Sequence, residues 1–429
     1  MNELFSLEQL MHHTREHSHF YNKHLAHLPS QSLALEQVPM IDPNEYWSGS
    51  DDLAHWPVLT APVEGALLFK TGGTTSKGKL AVYTRDEWQA LVRPFGQSLS
   101  AQLNAGDRVA NLFFTGDLAA SFLFIHDSLA HVEVPISEFP FTGNADLPGL
   151  TAAIGEHNIN VLAGIPAQLL KFAAYLTARG QVLEGLETLL YGGESVFPGQ
   201  LAIFARVFPN ARVASIGYAS VDAGLIGSSD RDCELGEHRV FDHHTRLEIV
   251  DEHTGEVIEA CNRVGLLLVT SLSRRLMPLL RYPVGDRACW VEPTATPRRK
   301  FALRGRSALS QRVRVGVMSL LTDEIHAIIQ TVADSEQWQL HLEQIDCIDQ
   351  LRVNWVPDHD ARAIETINRA LHDALVAKYP AIKTLSDDGL LQFQVMPCAT
   401  GDISLHPRSG KQLRVVDLRV YAQVTEAGA

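Results

Sequence analysis

The stretch that decides the fold is FKTGGTTSKGKLAVYT, residues 69–84, in which hydroxyl groups, glycines and lysines are crowded together. Glycines let backbone N–H groups approach an anion, hydroxyls add donors, and lysine supplies a charge that strengthens each hydrogen bond. The flanking runs ALLF and LAVYT predict two strands, so we interpret the loop as a hairpin that binds polyphosphate. A flexible surface turn is the alternative. The candidate phosphate-binding residues are Thr71, Gly72, Gly73, Thr74, Thr75 and Lys79.

Short apolar runs alternate with helix-length segments after this loop, a rhythm that predicts α/β layers with strands buried on both faces. The runs are ANLFF (110–114), INVLAG (159–164), ETLLY (187–191) and ARVASIG (211–217). Alternating strand-like patterns then predict a β-rich subdomain at about 235–300, and the segments after it predict a smaller α+β unit. We therefore divide the chain into a large N-terminal domain, 1–305, and a C-terminal domain, 306–429.

Composition limits the classes of partner. The chain of 429 residues carries 36 basic and 50 acidic residues, a formal net charge of -14. Nucleic acid is not an expected partner, because binding to a phosphate backbone needs a basic footprint. No apolar run approaches the roughly 20 residues that span a bilayer, and the five cysteines form no CxxC pair. These features predict a soluble cytoplasmic protein, as a monomer or a homodimer.

The loop TGGTTSKGK resembles the signature SSGTTGKPK of the adenylate-forming superfamily, which includes acyl-CoA synthetases, peptide-synthetase adenylation domains and luciferases. Five of the nine positions are identical. Further segments resemble later signatures of the superfamily and follow in its order, and LVTSLSRRLMPLLRY (268–282) is closest to the phenylacetate–CoA ligase branch. These segments are YGGESV (191–196), GYASVDAG (217–224), RYPVGDRACW (281–290), LRGRSALSQRVRVGV (303–317) and LHPRSGKQLRVVDL (405–418).

The resemblance implies how the nucleotide is held. Gly193 and Glu194 would line adenine, and Tyr218 would pack on it. Asp222 would hold Mg²⁺ on the phosphates, since a carboxylate is a hard oxygen ligand, and Asp286 would accept hydrogen bonds from both ribose hydroxyls. Without the resemblance, these segments are typical of a strand-to-helix turn, a core tyrosine and a hairpin turn.

The same resemblance implies two further groups, and the chain departs from the pattern at three places. Arg306 would bind ribose and phosphate oxygens beside the hinge of a mobile C-terminal domain, and Lys411 would be the lysine that drives adenylation. However, Ala219 stands where glycine is usual, Val221 where a hydroxyl is usual, and Ala308 where the branch has a hinge aspartate.

Two further sets of residues are weaker indicators of function. FFTGDLAASFLF (113–124) lies where relatives form the acyl-binding wall, so Phe113, Phe114 and Gly116 are predicted to contact a flat, aromatic acid; ordinary core packing is the alternative. A structural zinc needs four Cys or His ligands. Some relatives have a Cys/His cluster in this region, so three residues here are candidate zinc ligands; buried apolar cysteine is the alternative. That set is Cys233, His238 and Cys289.

The resemblance implies a two-step ligase. A small carboxylic acid, best an aryl acid, reacts with ATP and Mg²⁺ to give an acyl-adenylate and pyrophosphate, and a thiol then takes the acyl group. Coenzyme A is the favoured acceptor; the phosphopantetheine of an acyl carrier protein or a protein cysteine would use the same first step. A degenerate, non-catalytic nucleotide-binding relative and a kinase-like enzyme that releases ADP are the alternatives of other classes.

Overall fold

The computed structural model describes residues 4–29, 34–70, 79–252, 254–307, 312–316, 318–346, 348–357, 361–404 and 412–419. Its α-helices are α1 Leu7–His17, α2 His19–His24, α3 Pro43–Trp47, α4 Arg85–Leu99, α5 Ser121–Leu129, α6 Leu147–Glu156, α7 Pro166–Ala178, α8 Pro198–Val207, α9 Thr322–Ala333, α10 Ala361–Lys378 and α11 Ala381–Asp387. Its strands are β1 Leu67–Lys70, β2 Leu80–Tyr83, β3 Arg108–Asn111, β4 Ser137–Phe139, β5 Val161–Gly164, β6 Thr188–Tyr191, β7 Arg212–Ser215, β8 Tyr218–Ser220, β9 Gly224–Ser228, β10 Glu237–Val240, β11 Thr245–Val250, β12 Gly265–Ser271, β13 Tyr282–Trp290, β14 Lys300–Arg306, β15 Arg312–Val315, β16 Met318–Leu321, β17 Trp338–Ile345, β18 Ile348–Trp355, β19 Leu391–Pro397 and β20 Val415–Asp417.

A parallel sheet forms the centre of the first half of the chain, with strand order β4-β3-β5-β6-β7. Every residue of β5 and β6 is buried, as expected for parallel strands covered on both faces. Buried side chains of α6, α7 and α8 share one hydrophobic cluster with these strands. The α/β layers predicted from the four apolar runs are therefore confirmed.

A seven-stranded antiparallel sheet follows, with strand order β11-β12-β13-β14-β10-β9-β8. It confirms the predicted β-rich region and begins earlier than 235, because β8 and β9 already belong to it. The N-terminal segment packs on this sheet: the hydroxyls of Tyr21 and Tyr46 both donate to the carbonyl of Pro278, at 2.8 Å and 3.0 Å. Each buried phenol thus finds an acceptor and binds the first helices to the connection between β12 and β13.

The hairpin β1–β2 is formed as the sequence predicts, with Lys70 opposite Leu80 in an antiparallel register. Helix α4 starts directly after it at a capping box: Thr84 accepts from the backbone N–H of Glu87, and the Glu87 carboxylate accepts from the backbone N–H of Thr84. The same carboxylate also accepts from the backbone N–H of Leu276 at 2.8 Å. One glutamate therefore fixes both the end of the hairpin and the segment before β13.

The last part of the chain forms its own hydrophobic cluster around a four-stranded mixed sheet, β19-β18-β17-β20. The two tryptophans Trp338 and Trp355 lie opposite each other in β17 and β18 and are fully buried. Residues of the hairpin β15–β16 and of α9, α10 and α11 complete this cluster. Among the helices of the described ranges, none has the length and apolar character needed to cross a membrane.

Candidate active site

A cavity of 630 Å³ lies between the ends of the parallel sheet, the antiparallel sheet and the C-terminal part. We call the polar lining residues, which include six of those that the resemblance assigns to the nucleotide, the polar end, and the aromatic lining residues the aromatic end. The predicted residues that line the cavity are Phe113, Phe114, Gly193, Glu194, Tyr218, Asp222, Asp286 and Arg306. Eight side chains or turns that are scattered over 194 positions of sequence, from 113 to 306, thus meet around one space.

Asp286 lies at the centre of the polar end. Its Oδ2 accepts a hydrogen bond from the Tyr218 hydroxyl, and its Oδ1 lies 3.1 Å from Nε of Arg306. Asp286 and Arg306 are paired in the register of β13 and β14, so the sheet itself sets this contact. Burial, followed by the nearby Asp286 charge, raises the pKa of Tyr218 well above its usual value and keeps the phenol a donor. The carboxylate oxygens retain lone pairs that can accept from ligand hydroxyls.

The turn after β6 supplies the next part of the polar end. Gly193 has φ of +79°, a conformation that side chains with Cβ rarely adopt. Burial raises the pKa of the neighbouring Glu194 to about 7, although the Arg314 charge acts in the opposite direction. The carboxyl oxygen Oε1 of Glu194 is buried without a hydrogen-bond partner in the described part of the chain. This oxygen is available to a ligand in the cavity.

Asp222 lies farther along the cavity. Its Oδ1 accepts from the Ser220 hydroxyl, and its Oδ2 accepts from the Tyr282 hydroxyl at 3.1 Å. The carbonyl of Val221 accepts from the Tyr83 hydroxyl at 2.8 Å. The carboxylate is thus oriented toward the cavity by two hydroxyl donors, and its remaining lone pairs suit a hard cation such as Mg²⁺.

Aromatic side chains make up the aromatic end of the lining. Phe113 is buried and Phe114 half-buried, and both line the cavity. Gly116 is not among the residues that line the cavity: it is exposed in a turn with φ of +93°, so its contact with the acid stays a prediction. Further aromatic side chains of this wall are Tyr83, Trp88, Phe95 and Phe124. Gly217 permits the close packing, because a Cβ there would lie 2.8 Å from the ring of Phe95.

Several predicted residues fall elsewhere. Lys79 is exposed, and its Nζ lies 5.3 Å from the ring centre of Trp47 rather than in the cavity lining. The remaining predictions lie outside the described residues, so their roles stay predictions. They are Thr71, Gly72, Gly73, Thr74, Thr75, Ala308 and Lys411.

The zinc hypothesis does not agree with the structure. No group of three His, Cys, Asp or Glu side chains within the described ranges could hold a metal ion. His238 lies opposite Phe301 and Cys289 opposite the next residue, Ala302, so the two side chains leave opposite faces of the sheet. His238 instead forms a 2.9 Å hydrogen bond with the Ser215 hydroxyl, and burial lowers its pKa to about 4. Cys233 lies in the turn before β10.

Sequence reasoning missed residues that the C-terminal part brings to the cavity. Arg314 lines it with a buried Nε that has no hydrogen-bond partner in the described ranges, and burial lowers the pKa of this arginine. Burial raises the pKa of Asp349, which also lines the cavity, and Arg419 reaches the same space. The segment QRVRVGV offered a clue to Arg314, because two arginines alternate with valines there. However, the direction of these arginine side chains depends on how the C-terminal part docks.

Comparison with known proteins identifies the family. The AMP-binding enzyme family matches residues 10–273, more than half of the sequence. The chain belongs to the AMP-binding enzyme family. A phenylacetate–coenzyme A ligase of Thermus thermophilus is 26% identical over 303 residues, which are 65% of this chain and 63% of that ligase. The chain thus covers slightly less than two thirds of that relative, and the resemblance to the phenylacetate–CoA ligase branch is confirmed.

Solved structures agree on the fold. A 2-hydroxyisobutyryl-CoA ligase in complex with 2-HIB-AMP and CoA, in the thioesterification state, has a TM-score of 0.72 at 18% identity, and the match covers 96% of this chain and 88% of that ligase. The same ligase in the postadenylation state with 2-HIB-AMP has a TM-score of 0.61 at the same identity and coverage. The layered α/β fold predicted from the sequence is therefore that of adenylate-forming enzymes.

Proposed function

We propose that this chain converts a carboxylic acid and ATP to an acyl-adenylate and pyrophosphate, and then transfers the acyl group to the thiol of coenzyme A. One observation carries the proposal: a single cavity joins a polar end, built around Asp286, to an aromatic end. An enzyme that links a nucleotide to an acid needs both ends in one space, because the two reactants must meet. Membership of the AMP-binding enzyme family supports the same reaction.

At the polar end, the ribose of ATP would donate its hydroxyls to Asp286, while Arg306 would bind ribose and phosphate oxygens. Tyr218 and the turn at Gly193 and Glu194 would enclose the adenine. These assignments are supported by the common cavity and by the hydrogen bonds that hold Asp286 in place. The hydroxyl-rich loop at 71–75, with Lys79, would contact the triphosphate.

Asp222 would hold Mg²⁺, which supplies positive charge against the phosphates when it is bound. Lys411 would bridge the attacking carboxylate and the α-phosphate, where negative charge collects in the transition state. Val221 offers no hydroxyl to the phosphates, so the remaining donors carry that contact. The reaction then forms a bond between the acid oxygen and the α-phosphorus and breaks the bond to pyrophosphate.

An aryl acid is the substrate class that the aromatic end fits best. Phe113 and Phe114, together with the ring of Trp88, offer flat apolar surfaces on which an aromatic ring can stack. The Trp88 Nε1 donates to Asp127 at 2.6 Å, so the one polar atom of that ring already has a partner. The related phenylacetate–coenzyme A ligases support this class.

The residues after about 305 would form a domain that moves between the two steps. The separate hydrophobic cluster of this part supports such a division, since it can move without breaking its own core. The higher TM-score against the ligase structure in the thioesterification state supports assigning the described arrangement to the acyl-transfer step. Adenylation would then need a second arrangement, in which Lys411 reaches the cavity.

The test is product analysis on the intact chain with ATP, Mg²⁺ and coenzyme A. Aryl acids are compared with short aliphatic and 2-hydroxy acids, and AMP, ADP, pyrophosphate and acyl-CoA are quantified. We expect AMP, pyrophosphate and the thioester of an aryl acid in equal amounts. Release of ADP would contradict the adenylation step, and turnover of aliphatic acids alone would contradict the aryl class.

A further inference from the structure

An ion pair joins the two parts of the chain just outside the cavity lining. Nζ of Lys171, on α7, lies 2.8 Å from Oδ2 of Asp388, directly after α11. The side chains are 40% and 27% exposed, and neither lines the cavity. Helix α7 covers the parallel sheet, whereas α11 packs in the C-terminal cluster. The pair therefore reports on the contact between the two parts and not on the chemistry inside the cavity.

Apolar packing surrounds this ion pair. Leu390 packs against both the C-terminal cluster and the cluster of the parallel sheet. A Cβ built on Gly316 would lie 3.9 Å from the Cβ of Ala167, so the backbone of the C-terminal part comes close to α7. The guanidinium of Arg419 also lies 5.5 Å from the ring centre of Phe197. The ion pair thus lies at the edge of a docked surface.

We propose that Lys171 and Asp388 are positioning residues that hold the C-terminal part in the arrangement for acyl transfer to the thiol. The proposal rests on the two-step reaction proposed above. In that reaction the C-terminal part must undock before each adenylation, so the contact has to be specific but weak. A partly exposed ion pair meets both needs, because its partners are directional while water and salt screen their attraction.

The expected effect follows from the exposure of the pair. Ion pairs near the surface typically contribute a small free energy, so removing the attraction by reversing the charge of Lys171 or Asp388 should slow acyl transfer by about 5-fold. Adenylation should be unchanged, since the pair is outside the cavity and is broken in that arrangement. A variant that slows acyl transfer but not adenylation therefore indicates a positioning role. General damage to the fold would lower the rates of both half-reactions.

The experiment compares four proteins: the wild type, Lys171→Glu, Asp388→Lys and the double variant with exchanged charges. Adenylation is measured by ATP–pyrophosphate exchange. Transfer is measured in a single turnover, in which the adenylate is formed with pyrophosphatase present and then mixed with coenzyme A. We expect both single variants to exchange normally and transfer slowly, and the double variant to recover most of the transfer rate.

Lys383→Glu is the matched control, because Lys383 is an exposed lysine of α11 whose 2.8 Å partner, Asp387, lies on the same helix. It should leave both half-reactions unchanged. The proposal is overturned if the single variants transfer at the wild-type rate, if exchange and transfer fall together, or if the exchanged charges give no recovery.

A second measurement separates this proposal from the proposed function. Lys171→Cys and Asp388→Cys are combined in a Cys261→Ser background, since Cys261 is an exposed free thiol, and treated with a short bismaleimide. We expect an intramolecular cross-link that abolishes pyrophosphate exchange by holding the transfer arrangement. Absence of the cross-link, or full exchange after it, would overturn the positioning role. If the double-cysteine protein forms the cross-link, but neither it before treatment nor the wild type exchanges pyrophosphate with any acid, the proposed function alone is contradicted.

Discussion

The two ends of the cavity are built differently. The polar end depends on fixed hydrogen bonds: one carboxylate, Asp286, has Tyr218 on one oxygen and Arg306 on the other. The aromatic end depends on ring surfaces, such as those of Phe113 and Phe114, that leave few polar atoms facing the space. Hydrogen bonds select one ligand geometry, whereas apolar surfaces tolerate related shapes. The nucleotide should therefore be selected strictly and the acid more loosely.

The largest effect should follow from Asp286→Asn, which removes the charge that pairs with Arg306 and that, in the proposed reaction, accepts from the ribose hydroxyls. Hydrogen bonds to a charged group contribute more than neutral ones, so we expect kcat/KM for ATP to fall by about 100-fold or more. Asp230→Asn is the control, because Asp230 also pairs with arginine on the same sheet but does not line the cavity. Equal activity of the two variants would remove Asp286 from the nucleotide site.

The next effect concerns the pH dependence of stability at the polar end. Burial raises the pKa of Glu194 from 4.5 to about 7, so the empty folded protein binds this proton more tightly than the unfolded chain. The free energy of unfolding should then fall as pH rises from about 5 to 7, by on the order of 2 kcal/mol. Urea unfolding of wild type and Glu194→Gln would measure this; the difference between them should change over that pH range. A constant difference would contradict the raised pKa.

At the aromatic end, Phe114→Ala should weaken binding of the acid and leave binding of the nucleotide unchanged. Loss of one partly buried ring should raise KM for an aryl acid by about 10-fold, with KM for ATP unchanged. Phe122→Ala is the matched control, since Phe122 is also partly buried but packs in the core outside the cavity lining. An equal rise of both KM values for Phe114→Ala would mean that the two ends are not separate.

The smallest effect tests the departure from the superfamily pattern at Val221. Val221 is half-buried and lines the cavity, where the superfamily usually has a hydroxyl. Threonine has nearly the same shape, so Val221→Thr should add one neutral hydrogen bond to the phosphates and raise kcat/KM for ATP by about 2- to 5-fold. Unchanged or lower kcat/KM would indicate that the chain is adapted to valine at this place.

The polar end could be predicted from the sequence, because Tyr218, Asp222 and Asp286 lie in short segments whose residue types and order are specific. The aromatic end could be predicted only in part. Phe113 and Phe114 were found from their position, but Trp88 comes from α4 and reaches the cavity through the packing of the helix on its neighbours. Helical periodicity predicts which side chains are buried, but it does not predict which of them face a cavity.

The docked C-terminal part was the least predictable. Its secondary structure followed from apolar patterns, whereas the approach of Arg314 and Asp349 to Glu194 depends on how two separate clusters meet. The zinc hypothesis failed for a related reason. The spacing of Cys233, His238 and Cys289 does not reveal the strand register that directs His238 and Cys289 to opposite faces.

The most direct test of the central claim is substrate-dependent ATP–pyrophosphate exchange over a panel of aryl, alkyl and amino acids, with wild type beside Lys411→Ala. Exchange reports adenylation whatever thiol accepts the acyl group, and Lys383→Ala serves as the control for loss of a lysine in the C-terminal part. We predict exchange with an aryl acid in the wild type and in Lys383→Ala, and its loss in Lys411→Ala. Nucleotide binding without exchange across the whole panel would contradict the account and favour a non-catalytic nucleotide-binding protein.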